Sequence, residues 1–274
     1  MTAATVPLTE RQERELAYHE ARASRTDHLI EQPVNFDVIE DRVRRPWNGY
    51  WSTYDVLLGA GLAGKHVLVP GCGYGEDAIR LAKIGAHVHA SDLSPALVDI
   101  ARARAARHGL PDIGFTVGPA EELEEEDDSI DAVFWNDILH HLDVAAALGE
   151  ARRVLKPGGQ VIVNELYTHS VLQRIRESRL VSQVLYGRMV KFIYGSSDPY
   201  ITDDERKLDE RELRMLQEFL QPGWRVQYFY MLCGRIWPTG YARLATLDRI
   251  VLNSSDWLGR AGAGRFVLSG TVRK

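Results

Sequence analysis

The residues best suited to chemistry lie at two consecutive turns in the first half of the chain. Gly71-Cys72-Gly73-Tyr74-Gly75 follows a short apolar run, His66–Pro70, and Asp92 ends the next apolar run. Glycines in a strand-to-helix turn let the backbone approach a ligand, and the free N–H groups of the following helix favour a polar or anionic group. A carboxylate at the tip of the second strand can accept hydrogen bonds from both hydroxyls of a ribose. Together the two turns predict a nucleoside site.

The spacing of the glycine loop narrows the choice of nucleoside. A dinucleotide-binding loop has glycine at its first, third and sixth positions. Here the sixth position is Glu76, and Gly75 comes one residue early. A carboxylate is a poor neighbour for a pyrophosphate but an acceptable one for an ammonium group. The loop therefore favours a nucleoside with a cationic tail over NAD.

A second group of polar residues follows the fourth apolar run. The segment Trp135–Asp143 contains Asn136, His140 and His141. Histidine titrates near neutral pH, so His140 and His141 are the candidates for a general base. A helix start with one ring packed and one ring in water is the alternative interpretation. Other polar candidates at the same position are Asp137, Glu165 and His169.

The pattern of apolar runs and helix signals predicts the elements that carry these residues. Strands are expected at His66–Pro70, His87–Ala90, Gly114–Val117, Ala132–Asn136 and Gln160–Leu166, with helices between them. One of these helices has Ser94 as its N-cap and Pro95 at its first position. Alternating strands and helices predict a parallel sheet with right-handed crossovers. Two further strands are expected at Trp224–Leu232 and Arg265–Val272.

Four segments follow from this assignment. We expect an N-terminal helical lid (1–60), a nucleoside-binding core (61–166), a helical insertion (167–223) and C-terminal strands that complete the sheet (224–274). In the lid, Trp47, Tyr50 and Tyr54 have the spacing of one helix face. We expect this face and His169 to contact the acceptor, although simple packing of the aromatic side chains on the core is the alternative.

Five sequence blocks, in order and at the usual spacing, resemble those of the class I S-adenosylmethionine-dependent methyltransferases. They are Gly71–Gly75, Asp92–Pro95, Gly118–Leu123, Ser129–Val133 and Arg153–Gly159. The resemblance covers about residues 60–166. It implies an α/β fold, a Rossmann-like sheet of seven strands whose last strand is inserted antiparallel, with helices on both faces and a helical lid over the active site. It also implies S-adenosylmethionine as the cofactor.

The resemblance assigns roles to residues in these blocks. Gly71, Cys72, Gly73 and Gly75 would lie along the methionine half of the cofactor, and Asn136 would approach the same half. Asp92 would hold the ribose hydroxyls, Leu93 would pack on the adenine, and Ala120 and Glu121 would border the adenine edge. The chain departs from the family at Pro119, where an aspartate often meets the adenine amino group, so backbone groups or Glu121 would have to replace it.

The composition of the chain disfavours several classes of binding partner. The formal net charge of −5 and the absence of a basic tract argue against nucleic acid, and no run of apolar residues is long enough for a membrane span. Two cysteines, and no basic start followed by an apolar run, favour the cytoplasm. No metal site is expected, because the ligand spacing is absent.

The small-molecule branch of the family is the closest match, with O-methylation of a metabolite or natural product as the first expectation. N-, C- or S-methylation and a non-methylating cyclase that uses the same cofactor remain alternatives. A protein or RNA methyltransferase is less favoured, and a homo-oligomer remains open.

Overall fold

The architecture is a seven-stranded sheet with helices on both faces. This computed structural model describes residues 8–23, 27–167, 207–233, 236–238 and 240–274. The strands are β1 (His66–Pro70), β2 (His87–Asp92), β3 (Gly114–Val117), β4 (Ile130–Asn136), β5 (Leu155–Leu166), β6 (Arg225–Phe229) and β7 (Arg265–Thr271). Their order in the sheet is β3-β2-β1-β4-β5-β7-β6. The strands β1 to β5 pair in parallel, and β7 pairs antiparallel with both β5 and β6, so the predicted seven-stranded Rossmann-like sheet is confirmed. Most of the predicted helical insertion (167–223) lies outside the described residues.

The described part of the chain contains nine α-helices. They are α1 (Glu10–Ala23), α2 (Asp37–Glu40), α3 (Gly49–Gly59), α4 (Glu76–Lys83), α5 (Pro95–Arg107), α6 (Val144–Val154), α7 (Glu210–Phe219), α8 (Ala242–Leu252) and α9 (Asp256–Gly262). Short 3₁₀ turns cover Asp27–Ile30 and Leu139–His141. As predicted, Ser94 caps α5, its hydroxyl accepting a hydrogen bond from Leu97 N. Among the described residues, none of the helices has the length and apolar character needed to cross a membrane.

The two faces of the sheet bury separate apolar cores. In β1, Val67 and Val69 pack with residues of α3 and α4, whereas Leu68 between them packs with residues of α6 and α7. Successive side chains of a strand point to opposite faces, so this alternation places helices on both sides of β1. Both valines and Leu68 are almost fully buried, as expected for a central parallel strand.

The helix α3 occupies a different position from the predicted lid. It packs against β5 and β7, and its Tyr54 and Leu57 are fully buried in the core beneath the sheet. The helix begins at Gly49, after the cap residue Asn48, so Trp47 lies in the preceding turn and does not share the helix face of Tyr50 and Tyr54. The expected common face of all three aromatic residues is therefore wrong for Trp47. The aromatic spacing reflects packing on the sheet, the alternative interpretation of this segment.

The strand β5 is longer than predicted at its N-terminal end. It begins at Leu155 and includes Lys156–Gly159, which precede the predicted strand, because Leu155 pairs with Ile130 across an irregularity in the register with β4. The late strand β7 agrees closely with the prediction, whereas β6 ends at Phe229, three residues before the predicted end at Leu232. They pair with each other along Arg225–Phe229, and β7 joins them to the parallel part of the sheet.

Gly75 is a position where the fold requires glycine for two reasons. Its φ is +76°, and a Cβ at this position would lie 2.7 Å from Ala101 Cβ of α5. Gly64 has a similar φ of +73°, but nothing lies within 4 Å of the corresponding Cβ position. We expect Gly75→Ala to lower the free energy of unfolding by about 2–4 kcal/mol, because left-handed backbone strain and overpacking add.

The control Gly64→Ala should cost only about 1–2 kcal/mol, from backbone strain alone. Chemical denaturation of both variants measures the difference. Equal losses of stability would show that contact with α5 contributes nothing.

Candidate functional site

A cavity lies at the carboxyl ends of β1, β2 and β4, where ligands of open α/β sheets bind. Its wall is formed by the glycine loop, the end of β2, the segment after β3, the segment after β4, and α1. The described residues that line it are Gln12, Glu15, His19, Gly71, Gly73, Asp92, Leu93, Leu97, Gly118, Pro119, Ala120, Glu121, Asp137, Ile138, His141 and Leu142.

In the glycine loop, the space beside Gly71 is occupied by a side chain, whereas the space beside Gly73 is empty. Gly71 has φ +68°, and a Cβ there would lie 2.3 Å from Ile138 Cγ1. Gly73 has φ +51°, and a Cβ there would meet nothing within 4 Å. The backbone at Gly73 therefore faces open cavity, which is the close approach to a ligand that glycine permits.

Asp92 is fixed by two backbone N–H groups. Gly73 N donates to Asp92 Oδ2 at 2.8 Å, and Ser94 N donates to Asp92 Oδ1 at 3.0 Å. Burial raises the pKa of Asp92, although the hydrogen bonds from Ser94 and Gly73 act to lower it. Each carboxylate oxygen can accept a second hydrogen bond. The side chain is thus oriented to receive two donors from the cavity.

The residues predicted to contact the cofactor divide into two groups. Six of them line the cavity, namely Gly71, Gly73, Asp92, Leu93, Ala120 and Glu121. Three lie elsewhere among the described residues, namely Cys72, Gly75 and Asn136. Gly75 packs against α5, and Asn136 bonds to neighbouring side chains. The pKa of the Cys72 thiol is raised by burial, so the thiol is a poor nucleophile.

Asp77, in the first turn of α4, accepts hydrogen bonds from several side chains behind the glycine loop. Tyr50 Oη donates to Asp77 Oδ1 at 2.8 Å, and Tyr54 Oη donates to the same oxygen. Arg80 forms an ion pair with Asp77 at 3.2 Å. Asn136 Nδ2 donates to Asp77 Oδ2 at 2.7 Å. A carboxylate near a helix N-terminus is also stabilised by the helix dipole.

Tyr50 and Tyr54 were predicted to contact the acceptor, but their hydroxyls bond to Asp77 instead. Tyr54 is fully buried, and both hydroxyls are directed to Asp77. The two rings meet edge to face at 5.1 Å, which confirms that they share one face of α3. Sequence spacing identified that face but could not tell whether the helix packs over the cavity or against the sheet.

The hydrogen-bond chain continues from Asn136 across the strand ends. Asn164 Nδ2 donates to Asn136 Oδ1 at 2.7 Å. Arg265 Nη1 donates both to Asn164 Oδ1 at 3.0 Å and to Asp137 Oδ1 at 2.7 Å. The chain therefore links β4, β5 and β7 beside the cavity, and it ends on Asp137, which lines the cavity.

The two predicted catalytic histidines are held by different carboxylates. His140 is 3% exposed, and its Nδ1 donates to Glu165 Oε1 at 2.6 Å. His141 Nδ1 donates to Glu15 Oε1 at 2.9 Å, and His141 lines the cavity. The two rings lie 4.1 Å apart. Glu165 is fully buried and also accepts Leu139 N at 2.8 Å.

The sequence interpretation missed the contribution of α1 to the cavity. Gln12, Glu15 and His19 line it, and their spacing puts them on one helix face. The spacing was visible in the sequence, but nothing local indicated that this face turns toward the cavity. Of the remaining predicted residues, Trp47 lies in the turn before α3, and His169 lies outside the described residues. Within the described ranges, no group of three or more His, Cys, Asp or Glu side chains could hold a metal ion.

The comparisons with known proteins identify the central part of the chain. The family described as "Methyltransferase domain" matches residues 68–163, which contain part of β1, all of β2, β3 and β4, and most of β5. These residues are a methyltransferase domain. Over these residues the predicted resemblance to the class I S-adenosylmethionine-dependent methyltransferases, which use S-adenosylmethionine as their cofactor, is confirmed.

Named relatives share this domain over part of their length. Demethylmenaquinone methyltransferase of Clavibacter sepedonicus is 31% identical over 151 residues, which are 55% of this chain and 61% of the relative. Ubiquinone biosynthesis O-methyltransferase of Xanthomonas oryzae pv. oryzae is 39% identical over 110 residues, 38% of this chain and 44% of the relative. The chain thus matches less than two thirds of the length of these curated relatives.

Solved structures extend the likeness of fold beyond the methyltransferase domain. Geranyl diphosphate C-methyltransferase from Streptomyces coelicolor A3(2) superimposes with a TM-score of 0.60 at 17% identity, covering 98% of this chain and all of that one. A methyltransferase from Aquifex aeolicus superimposes with a TM-score of 0.51 at 17% identity, covering 92% and 98% of the two chains. At these identities the likeness concerns the fold alone.

The cavity of the methyltransferase domain fits S-adenosylmethionine. Open space at Gly73 admits a ligand against the backbone, and Asp92 offers two oriented acceptors for ribose hydroxyls. Leu93 and Leu142 supply apolar wall for the adenine. Among the predicted cofactor residues, Gly71, Gly73, Asp92, Leu93 and Ala120 lie in this cavity wall, where they would be able to contact the cofactor.

The buried pair of Glu165 and His140 leads to a prediction on stability. Burial alone would raise the pKa of Glu165, but the charge and hydrogen bond of His140 outweigh it and lower the pKa below 4.5. A carboxyl group whose pKa is lowered by folding stabilises the fold above its unfolded pKa, and this stability is lost as the pH falls through the folded pKa. At pH 7, Glu165→Gln should lower the free energy of unfolding by about 1.5–3 kcal/mol.

The gap between wild type and Glu165→Gln should narrow as the pH falls below 4.5, which urea denaturation at a series of pH values will measure. The exposed Glu218→Gln serves as the control and should change stability by less than about 0.5 kcal/mol. A gap for Glu165→Gln that is constant from pH 7 to pH 3.5 would exclude the ionic contribution of the pair.

Proposed function

We propose that the protein is an S-adenosylmethionine-dependent methyltransferase that methylates an oxygen atom of a small metabolite or natural product. The observation that carries the proposal is the cavity in the methyltransferase domain, in which Gly73 and Asp92 present an open backbone and a fixed carboxylate to a nucleoside. S-adenosylmethionine, when bound, supplies a methyl group already activated on a sulfonium. The protein then has to align the acceptor, exclude water and, for a hydroxyl, remove a proton.

The position of the acceptor follows from the arrangement of the polar residues. The ribose and adenine side of the cavity is formed by Asp92, Leu93 and Ala120, so the reactive end should point toward Asp137 and Ile138. Asp137 is held by Arg265 at 2.7 Å, next to the buried Glu165 at the end of β5. We propose that the acceptor binds at these ends of β4, β5 and β7.

His140 is the better candidate for a general base of the two predicted histidines. Its Nδ1 is bonded to Glu165 at 2.6 Å, which fixes the orientation and the tautomer of the ring. His141 is instead held by Glu15 in the cavity wall next to Leu142. We therefore assign proton removal to His140, with Glu165 as its orienting partner, and assign His141 to the cofactor side.

The relatives support a small acceptor. The Xanthomonas relative is named as an O-methyltransferase of ubiquinone biosynthesis, and it is 39% identical over the matched region. C-methylation is the second candidate, because the chain superimposes over nearly its whole length on geranyl diphosphate C-methyltransferase. Incubation with S-adenosylmethionine carrying a ¹³C methyl group and a panel of phenols, carboxylic acids and isoprenoid diphosphates would separate these candidates. The chemical shift of the transferred methyl group identifies the atom that accepts it.

Cofactor binding is the first test of this proposal. We expect the wild type to bind S-adenosylhomocysteine in calorimetry, and Asp92→Ala to bind it about tenfold or more weakly, because charge-assisted hydrogen bonds to the ribose are lost. Asp99→Ala removes an exposed carboxylate of α5 and should bind like the wild type. If the Asp92→Asn and Asp92→Ala variants both fold and both bind like the wild type, the assignment of Asp92 is wrong.

Substitutions of the two histidines should affect different quantities, kcat for His140 and cofactor binding for His141. His140→Ala should lower kcat about a hundredfold, the usual size of a general-base effect, with little change in the Kd of S-adenosylhomocysteine. His141→Ala should weaken cofactor binding while leaving kcat at saturating cofactor within about threefold. Full turnover by His140→Ala would mean that the acceptor needs no base from this residue.

A further inference from the structure

The helix α8 presents apolar side chains to solvent. Its inner side packs on the protein through Ala245, Asp248 and Leu252, which are each 5% exposed or less. Its outer side carries four large aliphatic residues that are between 36% and 61% exposed, and we call them the α8 stripe: Leu244, Leu247, Ile250 and Val251. Their spacing of three and four residues places them along one side of the helix, where a surface helix is ordinarily polar.

Two exposed aromatic residues lie beyond the ends of the α8 stripe. Tyr241 precedes α8 and is 53% exposed, and Trp257, the second residue of α9, is 73% exposed. Together with the stripe, these side chains expose an area on the order of the ~800 Å² that each partner buries in a standard protein–protein interface. Exposed apolar surface of this extent marks an interaction site.

The charges at the two ends of α8 suit an antiparallel partner. Arg243, in the first turn of α8, is exposed and forms no ion pair with the described residues. A cation is disfavoured at a helix N-terminus and favoured at a helix C-terminus. A second α8 that runs antiparallel would bring its C-terminal end to Arg243. Asp256 follows that end, with a carboxylate that is 56% exposed and also pairs with Arg260.

The α8 stripe is also complementary to itself. In an antiparallel pair with a two-fold axis near Leu247, the Leu247 side chains of the two copies meet. Leu244 of each copy then lies opposite Ile250 and Val251 of the other, and the Tyr241 end of one copy meets the Trp257 end of the other. A contact in which both copies use the same surface is complete with two copies.

We infer that the α8 stripe is the interface of a homodimer in which the α8 helices of two copies pack antiparallel. The inference concerns the association of the chains and goes beyond the proposed function. The inner side of the same helix also reaches the end of β6, because Asp248 accepts hydrogen bonds from Met231 N at 2.8 Å and Leu232 N at 3.0 Å. The helix that pairs in the dimer therefore also holds the segment that follows β6.

Sedimentation velocity over about a hundredfold range of protein concentration tests the interface. The wild type should be a dimer, and Leu247→Glu should weaken its association about a hundredfold or more, because two unpaired carboxylates would meet at the axis. Val117→Glu is the matched control, since Val117 is 46% exposed and ends β3 at the opposite edge of the sheet from β6. It should remain a dimer.

The fold of the monomeric variant and the direction of pairing are checked separately. Leu247 is exposed in each protomer, so Leu247→Glu should still bind S-adenosylhomocysteine like the wild type in calorimetry. Under mild oxidation, Leu247→Cys should form a covalent dimer and Val117→Cys should not, because only the first pair comes within disulfide reach.

Three outcomes would overturn the inference. The first is a wild type that is monomeric at every concentration, and the second is a dimer that a folded Leu247→Glu variant leaves intact. The third is a dimeric Leu247→Cys variant that forms no cross-link, which would contradict the antiparallel pairing.

Discussion

A single carboxylate, that of Asp77, holds the parts of the site in register. It stands in the first turn of α4, directly behind the glycine loop, and it receives hydrogen bonds from two tyrosines of α3, from Arg80 and from Asn136 of β4. A helix that packs on the sheet, the glycine loop and a neighbouring strand thus meet at one partly buried charge. Loss of that charge would leave several buried donors unsatisfied at once.

The two sides of the site are built by different means. On the cofactor side, short-range geometry dominates, because Gly73 N, Asp92 and Ser94 N come from adjacent strand ends. On the proposed acceptor side, the polar groups come from β4, β5 and β7 and depend on one another through Asn164 and Arg265. The first arrangement is typical of a nucleoside site that recurs in many enzymes, and the second is where acceptor specificity can vary.

The parts of the fold that could be predicted are those that local sequence determines. The glycine loop, the cap at Ser94 and the alternation of strands and helices each depend on residues within a few positions of one another, and all agree with the structure. The position of α3 and the cavity face of α1 depend on packing between segments far apart in the chain. Glu15 meets His141 across 126 positions, a contact that no helical periodicity reveals.

Strand order also affects how the chain can fold during synthesis. The strand β7 lies between β5 and β6, although β6 comes earlier in the chain. When β6 leaves the ribosome, it has no neighbour in the sheet with which to pair, and its backbone donors and acceptors remain with water until β7 follows. Arg265, the first residue of β7, also brings the cation that pairs with Asp137. Strands β1 to β5 can therefore pair early, whereas β6 and β7 join the sheet late, through contacts of high sequence separation.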